Sequence, residues 1–245
     1  SITGYTGVFD GNGHMITLKV GGSGANNALF GSIASGGTVQ DLTIQINNWG
    51  KNVSSETGSI AYSNNGTIQR CHALSWLGDK NIGGIVYKNE STGIVKDCRV
   101  GKLILRNSSE NLVGGIAYIN KGTIKNCYYL SDSETDDFDG TTFKTADQFA
   151  SGEVCYLLNG GKSDETVAFY QNIGEDDYPV LDSTHGTVYQ FTNCNHADTY
   201  TNNKDAKSGD HSWDDNGFCK NYPTHYQKPE EVNGVYQIAN AGQLY

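Results

Sequence analysis

Three stretches of the sequence share one pattern, and they read GSIAYSN at residues 58–64, GGIVYKN at residues 83–89 and GGIAYIN at residues 114–120. Each continues within a few residues into Gly, any residue, Ile or Val, two polar residues and Cys, as in residues 66–71, 93–98 and 122–127. Three copies of a compound pattern indicate an internal repeat, which decides the fold before any single element does.

A weaker first copy consists of GSIA at residues 31–34 and GTVQDL at residues 37–42, with Leu where the other copies have Cys. The equivalent positions are 29, 27 and 29 residues apart, counted through Leu42, Cys71, Cys98 and Cys127. This period is shorter than a propeller blade, and the motif differs from that of a leucine-rich repeat.

Apolar residues alternate with polar ones inside each copy, as Leu42, Ile44 and Ile46 alternate with Thr43 and Gln45. This is the period of a β-strand. Short strands separated by Gly and Asn corners predict a solenoid with about three strands per turn. The chain is therefore expected to be mostly β: a right-handed parallel β-helix of about four to five coils, a C-terminal cap containing one short helix, and then a small Cys/His-containing irregular segment.

Stacking brings equal positions of successive coils into columns, about 4.8 Å apart. One predicted core column consists of Ile33, Ile60, Ile85 and Ile116. A second inward column, in which the thiols act as small hydrophobic groups, consists of Cys71, Cys98 and Cys127. A ladder of corner amides is expected from Asn64, Asn89 and Asn120.

The column formed by Tyr62, Tyr87 and Tyr118 is the candidate ligand-binding site. Stacked rings that face outward would form an aromatic strip suited to sugars or peptides. The alternative is that the rings pack against a corner or a flanking loop, and the sequence leaves both interpretations open.

Composition argues against several classes of function. The formal net charge is −10, with +4 on residues 1–130 and −14 on residues 131–245. The lysines and arginines form no stripe, so nucleic-acid binding is not expected. No apolar run approaches the roughly 18 residues of a membrane span, so no membrane insertion is expected. The start at Ser1 without Met suggests a piece of a longer protein.

Catalysis is not expected from the acids of the repeat region. Glycoside cleavage needs two converging carboxyl groups. Asp41 and Asp97 share one repeat position, but Arg70 and Asn126 occupy it in the other coils. A polysaccharide lyase or glycosidase on a β-helix is therefore a less favoured alternative.

The opening FDGNGHMI at residues 9–16, the step ALFGSI at residues 28–33 and the three later copies resemble the GLUG-type repeats of large secreted bacterial proteins. The resemblance covers about residues 1–130. It implies a β-helix in an extracellular or cell-surface protein that is similar to adhesins, and it does not fix a ligand. Our own prediction is a non-catalytic module of a larger parent protein that binds a glycan or a host surface protein through an exposed face of the β-helix, with the tyrosine column as the candidate site. A rigid stalk or spacer is the alternative function.

The segment 131–190 is expected to cap the solenoid. Thr145 and Gln148 form a predicted capping box, and apolar residues at helical spacing follow as far as Asn159. One amphipathic helix is therefore predicted over about residues 146–159, covering the open end of the last coil.

The segment 191–228 concentrates Cys and His. Two sulfur and two nitrogen ligands for a structural tetrahedral zinc are available from Cys194, His196, His211 and Cys219. A disulfide between Cys194 and Cys219 is the rival interpretation in an extracellular setting. No cofactor is otherwise required, and residues 229–245 are similar to the start of a following repeat module.

Overall fold

The computed structural model describes residues 1–20, 28–48, 56–74, 76–78, 81–101, 103–105, 113–131, 142–192, 198–206, 211–220 and 224–244. The chain divides into two compact units, Ser1–Thr187 and Val188–Tyr245. The predicted repeat region (1–130) and the predicted cap (131–190), apart from the last three residues of the cap, therefore belong to one unit.

Strands recur coil by coil through the first unit. An N-terminal part-turn holds β1 (Val8–Asp10) and β2 (Met15–Val20), and the next turn holds β3 (Phe30–Ile33) and β4 (Thr38–Asn48). The following coil contains β5 (Thr57–Gly58), β6 (Ala61–Asn64), β7 (Thr67–Ala73) and β8 (Trp76–Gly78). Its successor contains β9 (Ile82–Gly83), β10 (Val86–Asn89), β11 (Ile94–Lys96), β12 (Arg99–Val100) and β13 (Leu103–Leu105). The last coil contains β14 (Val113–Gly114), β15 (Ala117–Asn120), β16 (Thr123–Lys125) and β17 (Tyr128–Leu130).

Equivalent strands of successive coils pair in parallel, which confirms the predicted parallel β-helix. One sheet has the order β15-β10-β6-β3, a second has the order β14-β9-β5, and the largest runs from β1 through β4, β7, β12 and β17. The repeat fixes the register, since Val86 lies opposite Ala61 and Ala117. About three coils have a strand in each of these three sheets, whereas four to five coils were expected. The described residues of the N-terminal turns, which contain β1 to β4, have no strand in the β14-β9-β5 sheet.

The interior is built from the predicted columns. All four isoleucines of the first column are completely buried. The three cysteines of the second column are buried too, and burial raises the pKa of the Cys98 and Cys127 thiols well above their usual value. These thiols therefore stay protonated and pack as small apolar groups.

A left-handed residue precedes each Leu or Cys of that column. The φ angles are 51° at Asp41, 49° at Arg70, 53° at Asp97 and 53° at Asn126. Asp and Asn tolerate this conformation better than other side chains. In each coil this left-handed residue bends the chain within the largest sheet: it lies inside β4 and β7, and between β11 and β12 or β16 and β17 in the later coils.

The predicted single helix over residues 146–159 is wrong, because the structure has two short helices, α1 (Ala146–Ala150) and α2 (Glu153–Leu158). Ser151 ends α1 and Gly152 has a φ of 91°, a left-handed conformation that interrupts the helix. The capping box is confirmed: Thr145 Oγ1 accepts from the Gln148 N–H at 3.3 Å, and Gln148 Oε1 accepts from the Thr145 N–H at 3.0 Å. A strand before the helices, β18 (Thr142–Lys144), extends the largest sheet beyond β17.

After α2 the chain runs along the side of the solenoid, in a segment that we call the strap (residues 167–181). The Phe169 ring stacks on His72 at 5.2 Å, and the Pro179 carbonyl accepts from Arg99 Nε at 2.9 Å. Leu181 packs against Gly13 in the first turn. The predicted cap thus contacts the flank of several coils in addition to the last one.

The second unit has little regular structure. Two antiparallel pairs form from β19 (Tyr189–Thr192) with β20 (Asp198–Thr201), and from β21 (Glu230–Val232) with β22 (Val235–Gln237). A 3₁₀ turn follows at Ala241–Leu244. Among the helices in the described ranges, none has the length and hydropathy needed to cross a membrane.

Candidate functional site

The three tyrosines of the predicted column form one continuous stack on strands β6, β10 and β15. Ring centroids are 4.9 Å apart between Tyr62 and Tyr87, and 5.2 Å apart between Tyr87 and Tyr118. The interplanar angles are 25° and 8°. Parallel pairing in register produces this stack, because equivalent side chains of adjacent strands lie one strand spacing apart.

The stack is only partly open to solvent. Tyr87 is 2% exposed, whereas Tyr62 and Tyr118 are intermediate in exposure. The central ring has both of its faces covered by its neighbours. A ligand would therefore meet ring edges, hydroxyl groups and the outer rings, instead of an open strip of ring faces.

One carboxylate and one ammonium group complete the site. The Tyr62 hydroxyl donates to Glu56 Oε2 at 2.7 Å, and the neighbouring Tyr87 hydroxyl also lowers the pKa of the Glu56 carboxyl group. Lys88 Nζ lies 5.5 Å from the centroid of Tyr62 and 5.2 Å from that of Tyr87, within cation–π range. We refer to Glu56, Tyr62, Tyr87, Lys88 and Tyr118 as the tyrosine face.

Protonation states on the tyrosine face follow from these contacts. Hydrogen bonds from Tyr62 and then Tyr87 lower the pKa of Glu56, and the Lys88 charge lowers it further. Burial, followed by the bond to Glu56, raises the pKa of Tyr62 to about 12, and the same causes raise the pKa of Tyr87. At neutral pH the face therefore presents a carboxylate beside protonated phenols, which is suited to hydrogen bonding.

Sequence reasoning did not identify Glu56 or Lys88. Lys88 lies opposite Ser63 and Ile119 of the adjacent coils, one residue after the tyrosine of its own coil. An alignment of the repeat copies would therefore have shown a positive charge next to the tyrosine column. Glu56 lies before the repeated pattern begins. Only the folded coil shows that its carboxylate reaches the tyrosines.

Two of the four left-handed residues that precede the Leu or Cys column, Asp41 and Asp97, are carboxylates, and each has a different partner. Asp41 pairs with Arg70, and Asp97 accepts from Asn126 Nδ2 at 2.8 Å. Asp41 and Asp10 both line a cleft of about 260 Å³, together with Asn12, Gly13, Val167, Ala168, Tyr170, Leu181 and Ser183. Hydrogen bonds from the Asn12 N–H and Gln40 lower the pKa of Asp10, whereas a general acid for glycoside cleavage needs a raised pKa.

The predicted zinc ligands are only partly within the structure. Cys194 and His196 lie outside the described residues, and with them the predicted disulfide between Cys194 and Cys219. Cys219 is buried, and the His211 ring stacks on Trp213 at 4.6 Å and lies against His225 at 5.2 Å. Within the described ranges, no three Cys, His, Asp or Glu side chains are grouped so as to hold a metal ion.

Comparison with known proteins gives one partial likeness. A stretch of 93 residues, 37% of the chain, is 40% identical to Halomucin of Haloquadratum walsbyi (strain DSM 16790 / HBSQ001) and corresponds to 1% of that protein's length. No known protein family's sequence profile matches the chain. No experimentally determined structure matches it either. The likeness to GLUG-type repeats stays a prediction.

Proposed function

We propose that this chain is a non-catalytic module of a secreted or cell-surface protein, and that it binds a glycan or a host surface protein through the tyrosine face. The stretch shared with Halomucin, whose name denotes a mucin, supports the extracellular location. The great length of that relative supports a parent protein with other domains, in which this chain is one part.

The observation that carries the proposal is the hydrogen bond from the Tyr62 hydroxyl to Glu56 at the side of a three-ring stack, whose central residue, Tyr87, also lowers the pKa of that carboxyl group. The carboxylate can accept hydrogen bonds from sugar hydroxyls or from peptide N–H groups. The outer ring of Tyr118 offers an apolar surface for the C–H groups of a sugar or for an aliphatic side chain. Lys88 supplies a donor over the adjacent rings of Tyr62 and Tyr87.

Binding of the whole chain to an array of glycans and matrix proteins tests the proposal. Glu56→Gln and Tyr118→Ala are expected to reduce capture at least tenfold, while Tyr226→Ala, at a 43% exposed position in the second unit, is the matched aromatic control. Tyr62→Phe keeps the stack and removes one hydroxyl, so it separates hydrogen bonding from ring contact. Unchanged capture by both Glu56→Gln and Tyr118→Ala would contradict a site on the tyrosine face.

A rigid spacer is the second candidate, and the Asn ladder favours it. Asn64 Nδ2 donates to Asn89 Oδ1 at 2.9 Å, and Asn89 Nδ2 donates to Asn120 Oδ1 at 3.0 Å. These bonds join successive coils through the interior, and each coil lengthens the solenoid by one strand spacing of about 4.8 Å. Absence of capture across the array would favour this function.

A further inference from the structure

The first turn of the solenoid has an open edge. β1 pairs with β4 on one side, and Ile2 and Tyr5 form isolated bridges to Phe30 and Ile33 of β3. No described strand lies on the other side of β1. At the opposite end of this unit, β18 pairs with β17 and is followed by α1 and α2. The two ends therefore differ, because a strand and two helices follow the last coil whereas the first turn ends in an unpaired edge.

The backbone of β1 presents hydrogen-bonding groups at this edge. The Gly7 carbonyl accepts from the Thr38 N–H at 2.8 Å, and the Gly11 N–H donates to the Gln40 carbonyl at 2.9 Å. Alternate residues of a strand in a parallel pair bond to opposite sides, so the N–H and carbonyl of Val8 face away from β4. Outward-facing groups of this kind are a template for another strand.

Apolar side chains are exposed around the same edge. Val8 is 66% exposed, Met15 is 55% exposed and Ile2 is 46% exposed. The end of the core beneath them is a layer of partly buried side chains: Tyr5, Phe9, Ile16 and Leu18. One strand further in, Val39 lies opposite Phe9 and is completely buried. A further coil would bury the end layer as the first turn buries the layer of Val39.

One column of polar side chains indicates what a further strand needs opposite Asp10. Through successive coils the column consists of Asp10, Gln40, Gln69, Lys96 and Lys125. Gln69 Nε2 donates to Gln40 Oε1 at 2.8 Å, and Gln40 Nε2 donates to Asp10 Oδ2 at 2.9 Å. Both bonds are donated towards the first turn, where the column ends on an acceptor. The side chain that fits outside Asp10 is therefore a donor, either an amide or a cation.

We propose that the edge of the first turn is an interaction surface for one further parallel coil with Gln, Lys or Arg opposite Asp10, supplied by another module of the parent protein. Continuity with the coil-to-coil interface of the solenoid and charge complementarity to Asp10 support this occupant. A second copy of this chain, meeting the same edge end to end, would bring two Asp10 carboxylates into one interface. The inference rests on the parent with other domains in the proposed function, and not on ligand binding by the tyrosine face.

Two fluorescent peptides that copy residues 37–48, one with Gln40→Lys and one with Gln40→Glu, test the proposal by fluorescence anisotropy with the full chain. The wild-type chain should bind the Gln40→Lys peptide about fivefold more tightly than the Gln40→Glu peptide, and Asp10→Lys should reverse this order. Equal affinities in the wild type, or no binding of either peptide at millimolar concentration, would overturn the proposal. Glu56→Gln should bind both peptides as the wild type does, so failure of the tyrosine face is distinguishable from failure of the edge.

A backbone variant tests pairing at the edge independently of charge. Val8→Pro removes an N–H that faces away from β4, and proline is tolerated at such edge positions. It should stay folded by circular dichroism and bind the Gln40→Lys peptide about fivefold more weakly, whereas Val8→Thr, the matched control, should bind as the wild type does. Unchanged binding by a folded Val8→Pro would overturn the proposal. A dimer in sedimentation of the chain alone, if neither peptide dissociates it, would identify a second copy as the occupant and overturn the proposal as well.

Discussion

Arg70 and Asp41, which occupy the same position of adjacent coils, form a two-pronged ion pair in which both nitrogen–oxygen distances are 2.6 Å. Both residues adopt left-handed backbone conformations. Asn126 and Asp97 repeat the arrangement two coils further on, with an amide in place of the guanidinium. The column thus alternates acceptors with donors, which stabilises the bend and separates the carboxylates.

Replacing Arg70 tests how much this pairing stabilises the solenoid. Arg70→Ala is expected to lower the free energy of unfolding by about 1–2 kcal/mol, because it removes a partly buried, charge-assisted pair. Arg70→Asn should lower the free energy of unfolding by less, because Asn tolerates a positive φ and can donate a hydrogen bond to Asp41 as Asn126 does to Asp97. Urea unfolding monitored by circular dichroism measures both variants. An Arg70→Asn variant less stable than Arg70→Ala would contradict this role of the column.

The amide ladder leads to a pH-dependent prediction at Asn89. Asn89→Asp keeps the shape of the side chain and removes the donor to Asn120, so it should cost about 2–3 kcal/mol at pH 7, where the carboxylate faces other acceptors. Protonation restores a donor, so the cost should shrink as the pH falls below the pKa of the new carboxyl group. Asn89→Ala, the control, should cost a similar amount at every pH. Equal pH profiles for the two variants would show that the ladder does not depend on the donor.

The repeat made most of the solenoid predictable, because a fixed period places equal residues in equal environments. The isoleucine, cysteine and asparagine columns lie where the pattern predicts. The single helix was wrong because Ser151 and Gly152, two weak helix formers in succession, interrupt it. The burial of Arg99 was not predictable, because only the folded strap, which is not part of the repeat, covers it.

The tyrosine stack was predictable for the same reason, but its exposure and charges were not. The period placed Tyr62, Tyr87 and Tyr118 in one column. The repeat carries no information about Glu56, and the small exposed fraction of Tyr87 depends on how neighbouring groups close over it. The pairing of His211 with His225 likewise depends on non-repetitive backbone bonds.

Alkaline titration should identify Tyr62 through its raised pKa. The pKa is about 12 in the folded protein, against an ordinary tyrosine value of 10.0. Its contribution to stability is complete below pH 10 and is lost as the pH rises towards 12, because the unfolded chain ionises first. Ultraviolet absorption of phenolate should show Tyr62 titrating late, and Glu56→Gln should lower that pKa by removing the charged acceptor.

The control for that titration is Tyr62→Phe, which should delete one late-titrating phenol and leave the tyrosines outside the tyrosine face unchanged. Stability of Tyr62→Phe should therefore fall less steeply between pH 10 and 12 than that of the wild type. If Tyr62 titrated near pH 10 in the folded wild type, the hydrogen bond to Glu56 would not persist in solution.

Arg99 carries the last prediction, because it is a buried cation with no carboxylate partner in the described ranges. It is 2% exposed, its Nε donates to the Pro179 carbonyl, and its guanidinium lies 5.3 Å from the centroid of Tyr178. Nη1 has no hydrogen-bond partner. Burial lowers the pKa of Arg99 to about 10, and burial followed by the Arg99 charge lowers the pKa of His72.

A lowered pKa on a base means that folding opposes the charged form. At pH 7 this penalty is on the order of 3 kcal/mol, and it disappears as the pH rises from 10 towards 12.5. Arg99→Met should therefore raise the free energy of unfolding by about 1–2 kcal/mol at pH 7, after the loss of the bond to Pro179 is offset. Arg99→Lys keeps the charge and should destabilise the protein. Urea unfolding of the two variants tests this prediction. If Arg99→Met and Arg99→Lys lose the same stability, the hydrogen bond of Arg99 to the strap stabilises the protein more than the buried charge destabilises it.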